Sequence, residues 1–422
     1  MTNSSLKSIS PDGITGAVFA LEGIRNSLTL LNGPMGCKFY HSTTSQFLLP
    51  RPALQLPVTE GEKPREVSEN YLNDWFFRQS RVPCTYLDSH DYVYGTADKV
   101  REALLYIRAH IGCDFVSVVN APGASLIGDD PRELCSEIFP DTPTAVIESP
   151  GFSTSFWEGT DEAILALLKQ AGPKLWGASR SGRKHDRPVV NIVGLSVWQK
   201  YAEGNRNEIV RLLERCGIEV GCVLCAGCSL EELRRIPEAD LNLVLYPELG
   251  RQSAAWLHAE LGMPAYICAA PPIGFDAAEK LLRELCAILG TDAAPVLPEL
   301  EKARALCWYK INGVYNMSGR PNGTLFAVRS LPSEETALSD FLTDYMGMIR
   351  DTGDIAETKA EEVFADANII GELMLKKREF CGIEIANPTM GYVDVTEKCT
   401  LGIRGAMFLT EQVLNGFMTR SV

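Results

Sequence analysis

Apolar residues recur at helical spacing near the start of the chain. Between Ile14 and Leu31 most of them are three or four residues apart, which predicts one amphipathic helix with a buried face. The break "NGP" at 32–34 should end this helix, and a tight Gly-Pro-Met-Gly turn then leads directly into Cys37, where a second helix can begin. The prolines between residues 43 and 80 predict a long irregular loop.

A second pattern begins near residue 113, where short apolar runs alternate with amphipathic segments. One helix should begin in "DDPRELCSEIF", with Asp130 as its N-cap and Pro131 in its first turn. This alternation is typical of parallel sheets with helices on both faces, in which ligands gather at the carboxyl ends of the strands. The runs that predict strands include "CDFVSVVNAPGA", "TAVIESPGF", "VVNIVGLS", "IEVGCVLC", "LNLVLY", "PAYICAA" and "GTLFAVRS".

Composition and charge narrow the class of protein. The 422 residues are too many for one ordinary core, so two or three domains are expected. With 45% hydrophobic and 22% charged residues, the chain should be globular. Its net charge of −14 argues against a general affinity for nucleic acid or for an anionic membrane.

The cysteine content and the apolar runs predict the compartment. The N-terminal residues lack the basic start and apolar centre of a signal peptide, and no apolar run approaches the roughly 18 residues of a membrane span. The 13 cysteines are odd in number and scattered through the chain, which is typical of a reduced, cytosolic protein. We therefore expect a cytoplasmic protein without a membrane segment.

Cys37 is the first candidate metal ligand. A thiol at the start of a helix lies near the positive end of the helix dipole, which would lower its pKa and favour the thiolate that binds metal. Gly33 and Gly36 would let the backbone approach a bulky inorganic group. The alternative is a packed cysteine beside a tight turn.

Other cysteines offer weaker candidates. "CVLCAGC" places Cys222, Cys225 and Cys228 at a spacing found in some iron–sulfur loops, but Cys222 lies inside a predicted strand and no fourth ligand is evident. Buried strand and turn cysteines are therefore the favoured interpretation. Cys84 ends a short predicted strand, "RVPCTYL", where either a ligand or a core cysteine could lie.

The remaining chemistry-bearing residues form no specific pattern. His41 and His90 have no recognisable ligand spacing with Cys37, and the cap role of Asp130 accounts for one acid of "LIGDDP". The sequence contains neither GxxxxGK[ST] nor a GxGxxG after a strand, so it predicts no nucleotide-binding P-loop and no tightly bound dinucleotide.

Several segments, in order, resemble the nitrogenase component 1 family. "DGITGAVFALEGIRNSLTLLNGPMGC" is similar to its cluster-binding segment, and the resemblance extends over nearly the whole chain. The other similar segments are "DYVYGTADKVREAL", "LIGDDP", "ESPGFSTSFWEGTDEAI" and the ending "GIRGAMFLTEQVLN". The resemblance implies an α/β fold of three Rossmann-like domains, each a mainly parallel sheet flanked by helices, over residues 1–182, 183–294 and 295–422.

Departures from the family pattern change which cluster ligands this chain is expected to supply. Where the family has two further cluster cysteines, this chain has Asp12 and Pro122. The resemblance then implies one firm thiolate ligand, Cys37, in a pocket shaped by Gly33 and Gly36, and a [4Fe–4S] cluster needs four ligands. The others would come from a homologous partner subunit, different or identical to this chain, or from Asp12 or Cys84, although Asp12 is also a good helix N-cap.

The positions that resemble the ligands of the family's catalytic cofactor carry Tyr246 and Tyr392. Neither is a usual ligand of an iron–molybdenum cofactor, so dinitrogen reduction is not expected. The resemblance implies a reductase subunit that receives electrons from an ATP-dependent iron protein through the shared cluster. The alternatives are a non-catalytic scaffold for assembling a metallocofactor and a sugar- or nucleotide-binding α/β protein without metal. The substrate is not indicated.

Overall fold

The computed structural model describes residues 11–38, 82–148, 154–177, 186–376, 379–387 and 394–417. The predicted loop at 43–80, most of the polar stretch at 178–188, and the candidates His41 and Tyr392 lie outside these residues. Within them the chain is α/β, with three separate parallel sheets flanked by helices.

The first sheet has three parallel strands in the order β1-β2-β3, and every residue of β1 and β2 is buried. Ser155 caps the long helix α6 through a capping box with Glu158, and α6 packs against α1. The elements are α1 (Gly13–Glu22), β1 (Ser27–Asn32), α2 (Asp91–Tyr94), α3 (Ala97–His110), β2 (Phe115–Asn120), α4 (Pro122–Ile127), α5 (Pro131–Ile138), β3 (Thr144–Ile147) and α6 (Phe156–Trp176).

The single helix predicted between Ile14 and Leu31 is wrong in its second half. The helix ends at Glu22, Gly23 follows as its C-cap, and Asn26 adopts a left-handed conformation (φ 54°) that turns the chain into strand β1. Because β1 is buried along its whole length, it has no polar alternation to distinguish it from a buried helix.

The second sheet also has parallel strands, in the order β5-β4-β6-β7. The alternation of strand and helix predicted for this region is confirmed. The elements are β4 (Val189–Val193), α7 (Ala202–Arg215), β5 (Glu219–Val223), α8 (Leu230–Arg234), β6 (Leu241–Val244), α9 (Arg251–Leu261), β7 (Ala265–Ile267) and α10 (Phe275–Leu289).

The third sheet is parallel as well, in the order β11-β10-β8-β9. The closing helix predicted at the end of the chain is present as α14, and it packs against helices of the second and third sets. The elements are α11 (Leu297–Ser318), β8 (Leu325–Val328), α12 (Pro332–Asp340), β9 (Ile349–Arg350), β10 (Glu362–Ala365), α13 (Ala367–Leu375), β11 (Cys381–Glu384) and α14 (Gly402–Gly416).

Hydrophobic packing joins the three sheets. Phe19 of α1 and Phe156 of α6 pack with Trp198, which follows β4, and the same buried cluster continues to Phe326 and Phe364 of the third sheet. The strands of the three sheets lie within residues 27–147, 189–267 and 325–384. The exact domain boundaries at 182 and 294 stay predictions. None of the helices in the described residues is long and apolar enough to cross a membrane.

Candidate functional site

Cys37 lies just beyond the carboxyl end of β1. After Asn32, Gly33 and Pro34 the chain enters a 3₁₀ turn, Met35–Lys38, which is the described part of the helix expected at Cys37. The Cys37 backbone N–H donates to the Pro34 carbonyl oxygen (3.2 Å). This is the edge at which open parallel sheets place their ligands.

The two glycines of the turn have different roles. A Cβ on Gly33 would lie 2.6 Å from the Cβ of Ala121, so only glycine allows the chain to pass the segment that follows β2. Among the described residues, a Cβ on Gly36 would meet nothing within 4 Å. Gly33 therefore fixes close packing beneath Cys37, whereas no described residue packs on the Gly36 side of the turn.

Cys84 lies beside the same strand end. The Cys84 backbone forms an isolated parallel β-bridge with that of Leu31. The sequence predicted a short strand at this place. The Cys84 thiol donates to the Gly33 carbonyl oxygen (3.1 Å), and the Tyr86 N–H donates to the Cys84 sulfur (3.4 Å). The fold thus brings Cys84 next to the turn that carries Cys37.

Asp12 is the N-cap of α1. Its Oδ1 accepts hydrogen bonds from the Thr15 N–H (2.9 Å) and the Thr15 hydroxyl (2.8 Å), so the cap role weighed in the sequence is confirmed. The Asp12 backbone also bridges that of Ser155 at the start of α6. The carboxylate is therefore held in place by the packing of two helices.

The electrostatics of Cys37 differ from the sequence-based expectation. The pKa of Cys37 is raised to about 11, first by burial, then by the negative charge of Asp12 and by Cys84. Burial is the largest cause of this shift, ahead of the two neighbouring groups. The same result shows that Asp12 and Cys84 lie within electrostatic reach of the Cys37 thiol.

The Tyr92 phenol is a third group within electrostatic reach of the two thiols. The pKa of the Tyr92 phenol is raised by burial and then by Cys37 and Cys84, and the Tyr92 ring lies against Gly123, where a Cβ would be 2.6 Å from it. Tyr92 belongs to α2, which packs on α4. The edge of the first sheet therefore gathers two half-buried thiols, a carboxylate and a phenol.

No complete metal site is present in the part of the chain that the structure describes. There, no group of three or more His, Cys, Asp or Glu side chains is arranged to hold an ion. The favoured interpretation of "CVLCAGC" as buried strand and turn cysteines agrees with the structure: Cys222, Cys225 and Cys228 are each at most 1% exposed. The Gly227 N–H and the Cys228 carbonyl oxygen bond to the backbone just after α1, so the three thiols pack in the core.

With this geometry, a family assignment can be made. The family model of nitrogenase component 1 type oxidoreductases matches residues 13–350, which includes the Cys37 turn and Cys84. The chain belongs to this family.

Curated relatives agree with the assignment. A light-independent protochlorophyllide reductase subunit from Synechococcus sp. (strain WH7803) is 31% identical over 240 residues, which are 55% of this chain and 45% of that protein. The corresponding protein of Synechococcus sp. (strain RCC307) is 27% identical over 326 residues, which are 73% of this chain and 59% of that protein. The chain thus spans about half the length of these curated relatives.

A solved structure confirms the fold. Nitrogenase Cp1 at pH 6.5 superposes with a TM-score of 0.73 at 17% identity, covering 97% of this chain and 92% of that one. At this identity the likeness shows the three-sheet α/β architecture, and the chemistry has to be argued from the residues of the nitrogenase-like chain itself.

The Tyr246 side chain is hydrogen-bonded to another side chain of this nitrogenase-like chain. It follows β6, it is fully buried, and its hydroxyl donates to Oε1 of Glu334 (3.3 Å). Burial, and then the charge of Glu334, raise the pKa of Tyr246 well above its ordinary value. At neutral pH this phenol is therefore a neutral hydrogen-bond donor.

Sequence reasoning missed a polar row at the carboxyl ends of the first sheet. Asn32 donates through Nδ2 to Oδ1 of Asn120 (2.9 Å), and Asn120 donates through Nδ2 to Oε2 of Glu148 (3.1 Å). Asn32 and Asn120 end β1 and β2, and Glu148 follows β3. One polar residue after each of three apolar runs was the signal that could have revealed this row.

The remaining candidates have structural roles. Asp130 caps α5 by accepting from the Arg132 N–H (3.0 Å), as predicted, and Asp129 accepts from the Thr96 hydroxyl (3.2 Å). The exposed His90 ring packs against Tyr94, with ring centroids 4.4 Å apart.

Proposed function

We propose that this chain is the one-cysteine subunit of a nitrogenase-like reductase. It receives electrons from an ATP-dependent iron protein through a [4Fe–4S] cluster that it shares with a homologous partner subunit. When bound, such a cluster supplies one-electron transfer. The observation that carries the proposal is the Cys37 thiol, half-buried at the carboxyl end of β1, in a turn whose Gly36 side is not covered by any described residue.

The residues around Cys37 fit a site that supplies one part of the ligands of a cluster. Thiolate is the ligand that iron–sulfur clusters require, and Cys37 is the thiol in this turn. Burial and then Asp12 raise the pKa of Cys37, and an adjacent cation would reverse that balance in favour of thiolate. Cys84 is a second sulfur within electrostatic reach of Cys37, although its thiol donates to the Gly33 carbonyl oxygen.

The surface near Cys37 supports a shared site. Val93 and Tyr94 of α2 are 74% and 76% exposed, and Leu126 of the neighbouring helix α4 is 87% exposed. Large apolar side chains on two adjacent helices are a feature of surfaces that pack against another protein. A partner covering these helices would also cover the Gly36 side of the Cys37 turn and bring the missing ligands.

The proposal is tested by isolating the complex anaerobically from its native host through a tag on this chain. Iron and acid-labile sulfide are measured for the wild type, Cys37→Ser and Cys113→Ser. Cys113 is a matched control, because it is also half-buried but precedes β2, at the opposite edge of the same sheet. We expect Cys37→Ser to lose most of the iron and Cys113→Ser to keep it.

Two results would count against the proposal. One is a wild-type complex without iron and sulfide, which would favour an α/β binding protein without metal. The other is wild-type iron content in Cys37→Ser. If iron is present, a further assay distinguishes a reductase from an assembly scaffold. A reductase should consume a chemical reductant only when MgATP and the iron protein are supplied, and a scaffold should not.

A further inference from the structure

Two residues, Gly33 and Pro34, connect the first sheet to the turn that carries Cys37. At the end of β1 the Ala121 N–H donates to the Asn32 carbonyl oxygen (2.8 Å), which joins this strand end to the segment after β2. Pro34 carries no N–H, so Gly33 supplies the last backbone donor before the 3₁₀ turn. The bonds that hold the Gly33 backbone therefore fix where this turn begins.

Both polar groups of the Gly33 backbone are bonded to one segment, residues 84–87. The Gly33 N–H donates to the Thr85 hydroxyl oxygen (3.1 Å). The Gly33 carbonyl oxygen accepts from the Leu87 N–H (3.0 Å) and from the Cys84 thiol (3.1 Å). Gly33 is buried, so these bonds satisfy backbone groups that water does not reach. The segment 84–87 thus holds Gly33 through its donor and through its acceptor.

The Thr85 hydroxyl also connects Gly33 to the interior of the first sheet. It accepts from the Gly33 N–H and donates to Oδ1 of Asn32 (2.9 Å). Asn32 is fully buried, and its Nδ2 donates to Oδ1 of Asn120 (2.9 Å) at the end of the neighbouring strand. A hydroxyl has one proton to donate and lone pairs to accept with, so this single group links the end of the sheet to the backbone that leads into the turn.

The backbone around Thr85 determines where this hydroxyl lies. The Leu31 N–H donates to the Pro83 carbonyl oxygen (2.9 Å), and the Thr85 N–H donates to the Leu31 carbonyl oxygen (3.0 Å). The segment therefore lies beside the end of β1. The Thr85 side chain is half-buried and β-branched, which limits its rotamers. The hydroxyl is thus held in place by the fold itself.

Removal of the Thr85 hydroxyl would act on Cys37 from a distance. With valine at position 85, the buried Gly33 N–H and Oδ1 of Asn32 would both lose this partner, which disfavours the closed arrangement of the turn. No described residue packs on the Gly36 side to hold the turn instead. The Cys37 thiol would then reach solvent more often, where a thiolate forms and reacts more readily than in the half-buried site.

We propose that Thr85 is a positioning residue for Cys37, and that its hydroxyl holds the ligand turn at the sheet edge through Asn32 and Gly33. Groups behind a metal ligand commonly fix its orientation in this way. The inference deepens the function proposed above and rests on it as far as the cluster is concerned. The hold on the turn is a property of this chain alone and can be measured without iron.

The first test measures the turn in the full chain after treatment with an iron chelator. Peptide mass spectrometry gives the rate at which iodoacetamide alkylates Cys37, relative to that of Cys113, which is also half-buried and has a pKa of about 11. We expect Thr85→Val to raise this ratio at least about fivefold, because a buried hydrogen bond is lost. Thr85→Ser keeps the hydroxyl and should stay within about twofold of the wild type. An unchanged ratio in Thr85→Val would overturn the proposal.

Thr358→Val is the matched control, because the Thr358 hydroxyl makes the same kind of link beside the third sheet. It accepts from the Ala360 N–H (3.1 Å) and donates to Oδ2 of Asp351 (2.6 Å). This variant should lose stability without a change in the alkylation ratio. An equal rise in both variants would show a general loosening of the protein and refute the proposal. Thermal unfolding checks that the variants are folded, and Thr85→Ala replaces Thr85→Val if that variant is not.

The second test uses the complex isolated without oxygen. Thr85→Val retains Cys37 and should keep most of the iron, but the electron paramagnetic resonance signal of its reduced cluster should differ from that of the wild type. Thr85→Ser should restore the wild-type signal. A wild-type signal in Thr85→Val would contradict a role of Thr85 in ligand geometry. A wild-type complex without iron would instead refute the proposed cluster, and the alkylation ratio would then decide the role of Thr85 by itself.

Discussion

Burial decides the ionisation of the side chains that matter most in this protein. Cys37 and Glu334 both have raised pKa values, about 11 and about 7, and burial is the main cause in each. Their surroundings differ: Cys37 lies in a turn whose Gly36 side no described residue covers, whereas Glu334 is held by two hydroxyl groups inside a cavity. Both groups therefore keep their protons more readily than the free side chains do, the Cys37 thiol throughout the neutral range and the Glu334 carboxyl up to about pH 7.

Glu334→Gln should stabilise the protein in a pH-dependent way. Because the pKa of Glu334 is raised from 4.5 to about 7, the folded state binds the proton more tightly, so its stabilising effect is present below pH 4.5 and is lost as the pH rises through 7. Glutamine imitates the protonated acid. Thermal unfolding should show the variant more stable by up to about 3 kcal/mol at pH 8 and by less than about 1 kcal/mol at pH 5.

The control for this prediction is Glu133→Gln, the same substitution at an exposed position of α5. Because Glu133 lies in the first turn of α5, the variant should lose no more than about 1 kcal/mol, and the same amount at both pH values. A Glu334→Gln variant that is less stable than the wild type at pH 8 would show that Glu334 is ionised and paired in the folded protein.

Lys200→Met should destabilise the protein strongly. Lys200 is 1% exposed and pairs with Glu384 and Asp394, so its removal leaves two carboxylates without their cation. We expect a loss of about 3–5 kcal/mol. Arg101→Met, which breaks the exposed pair with Glu137, should cost no more than about 1 kcal/mol. Chemical unfolding of the two variants measures the difference, and equal losses would contradict this account of the buried pair.

At the scale of elements, the crossing of α1 and α6 fixes the position of Asp12. A Cβ on Gly16 would lie 2.0 Å from the Phe156 carbonyl oxygen, and one on Gly159 would lie 2.1 Å from the Gly13 carbonyl oxygen. The two helices therefore touch through backbone on both sides. This contact holds the start of α1, with its cap, beside the edge that carries Cys37.

Gly16→Ala should accordingly separate the two helices. We expect a loss of at least about 2–3 kcal/mol in the free energy of unfolding, because backbone atoms cannot move aside as a flexible side chain can. Gly313→Ala in α11 is the control: a Cβ there meets nothing within 4 Å. It should gain about 0.5–1 kcal/mol from the better helix propensity of alanine. If both variants unfold alike, the close crossing does not constrain α1.

The sequence was sufficient for elements whose pattern was unambiguous. Strands β4 to β7 and their helices were predictable, because apolar runs alternate there with amphipathic segments. The segment from Ile14 to Leu31 was not, since a fully buried strand has no alternation, and only Gly23 signalled the end of the helix.

At the site, local pattern located Cys37 but not its chemistry. The dipole argument predicted a lowered pKa for Cys37, and the fold raises it, first because the thiol is half-buried and then because the chain brings Asp12 and Cys84 to it from distant sequence positions. The polar row of Asn32, Asn120 and Glu148 depends on strand register, which the sequence alone does not supply.

At the scale of the whole molecule, the Cys37 turn and the cavity beside Glu334 occupy different places in the fold. The Cys37 edge belongs to the first sheet and faces exposed apolar helices, whereas the cavity with Glu334 lies where all three sheets meet. The core cluster that runs from Phe19 to Phe364 lies beside the cavity, whereas Cys37 and Cys84 pack against a second cluster that includes Leu31 and Phe115. The cytoplasmic location and the identity of the partner subunit remain predictions.

The most direct test is an iron anomalous difference map of the complex, isolated and crystallised without oxygen. The account predicts an iron peak within bonding distance of the Cys37 sulfur, with the remaining ligands of that cluster on the neighbouring polypeptide. A Cys37 sulfur that has no iron beside it and is packed among side chains, in a complex that retains its metal elsewhere, would contradict the account.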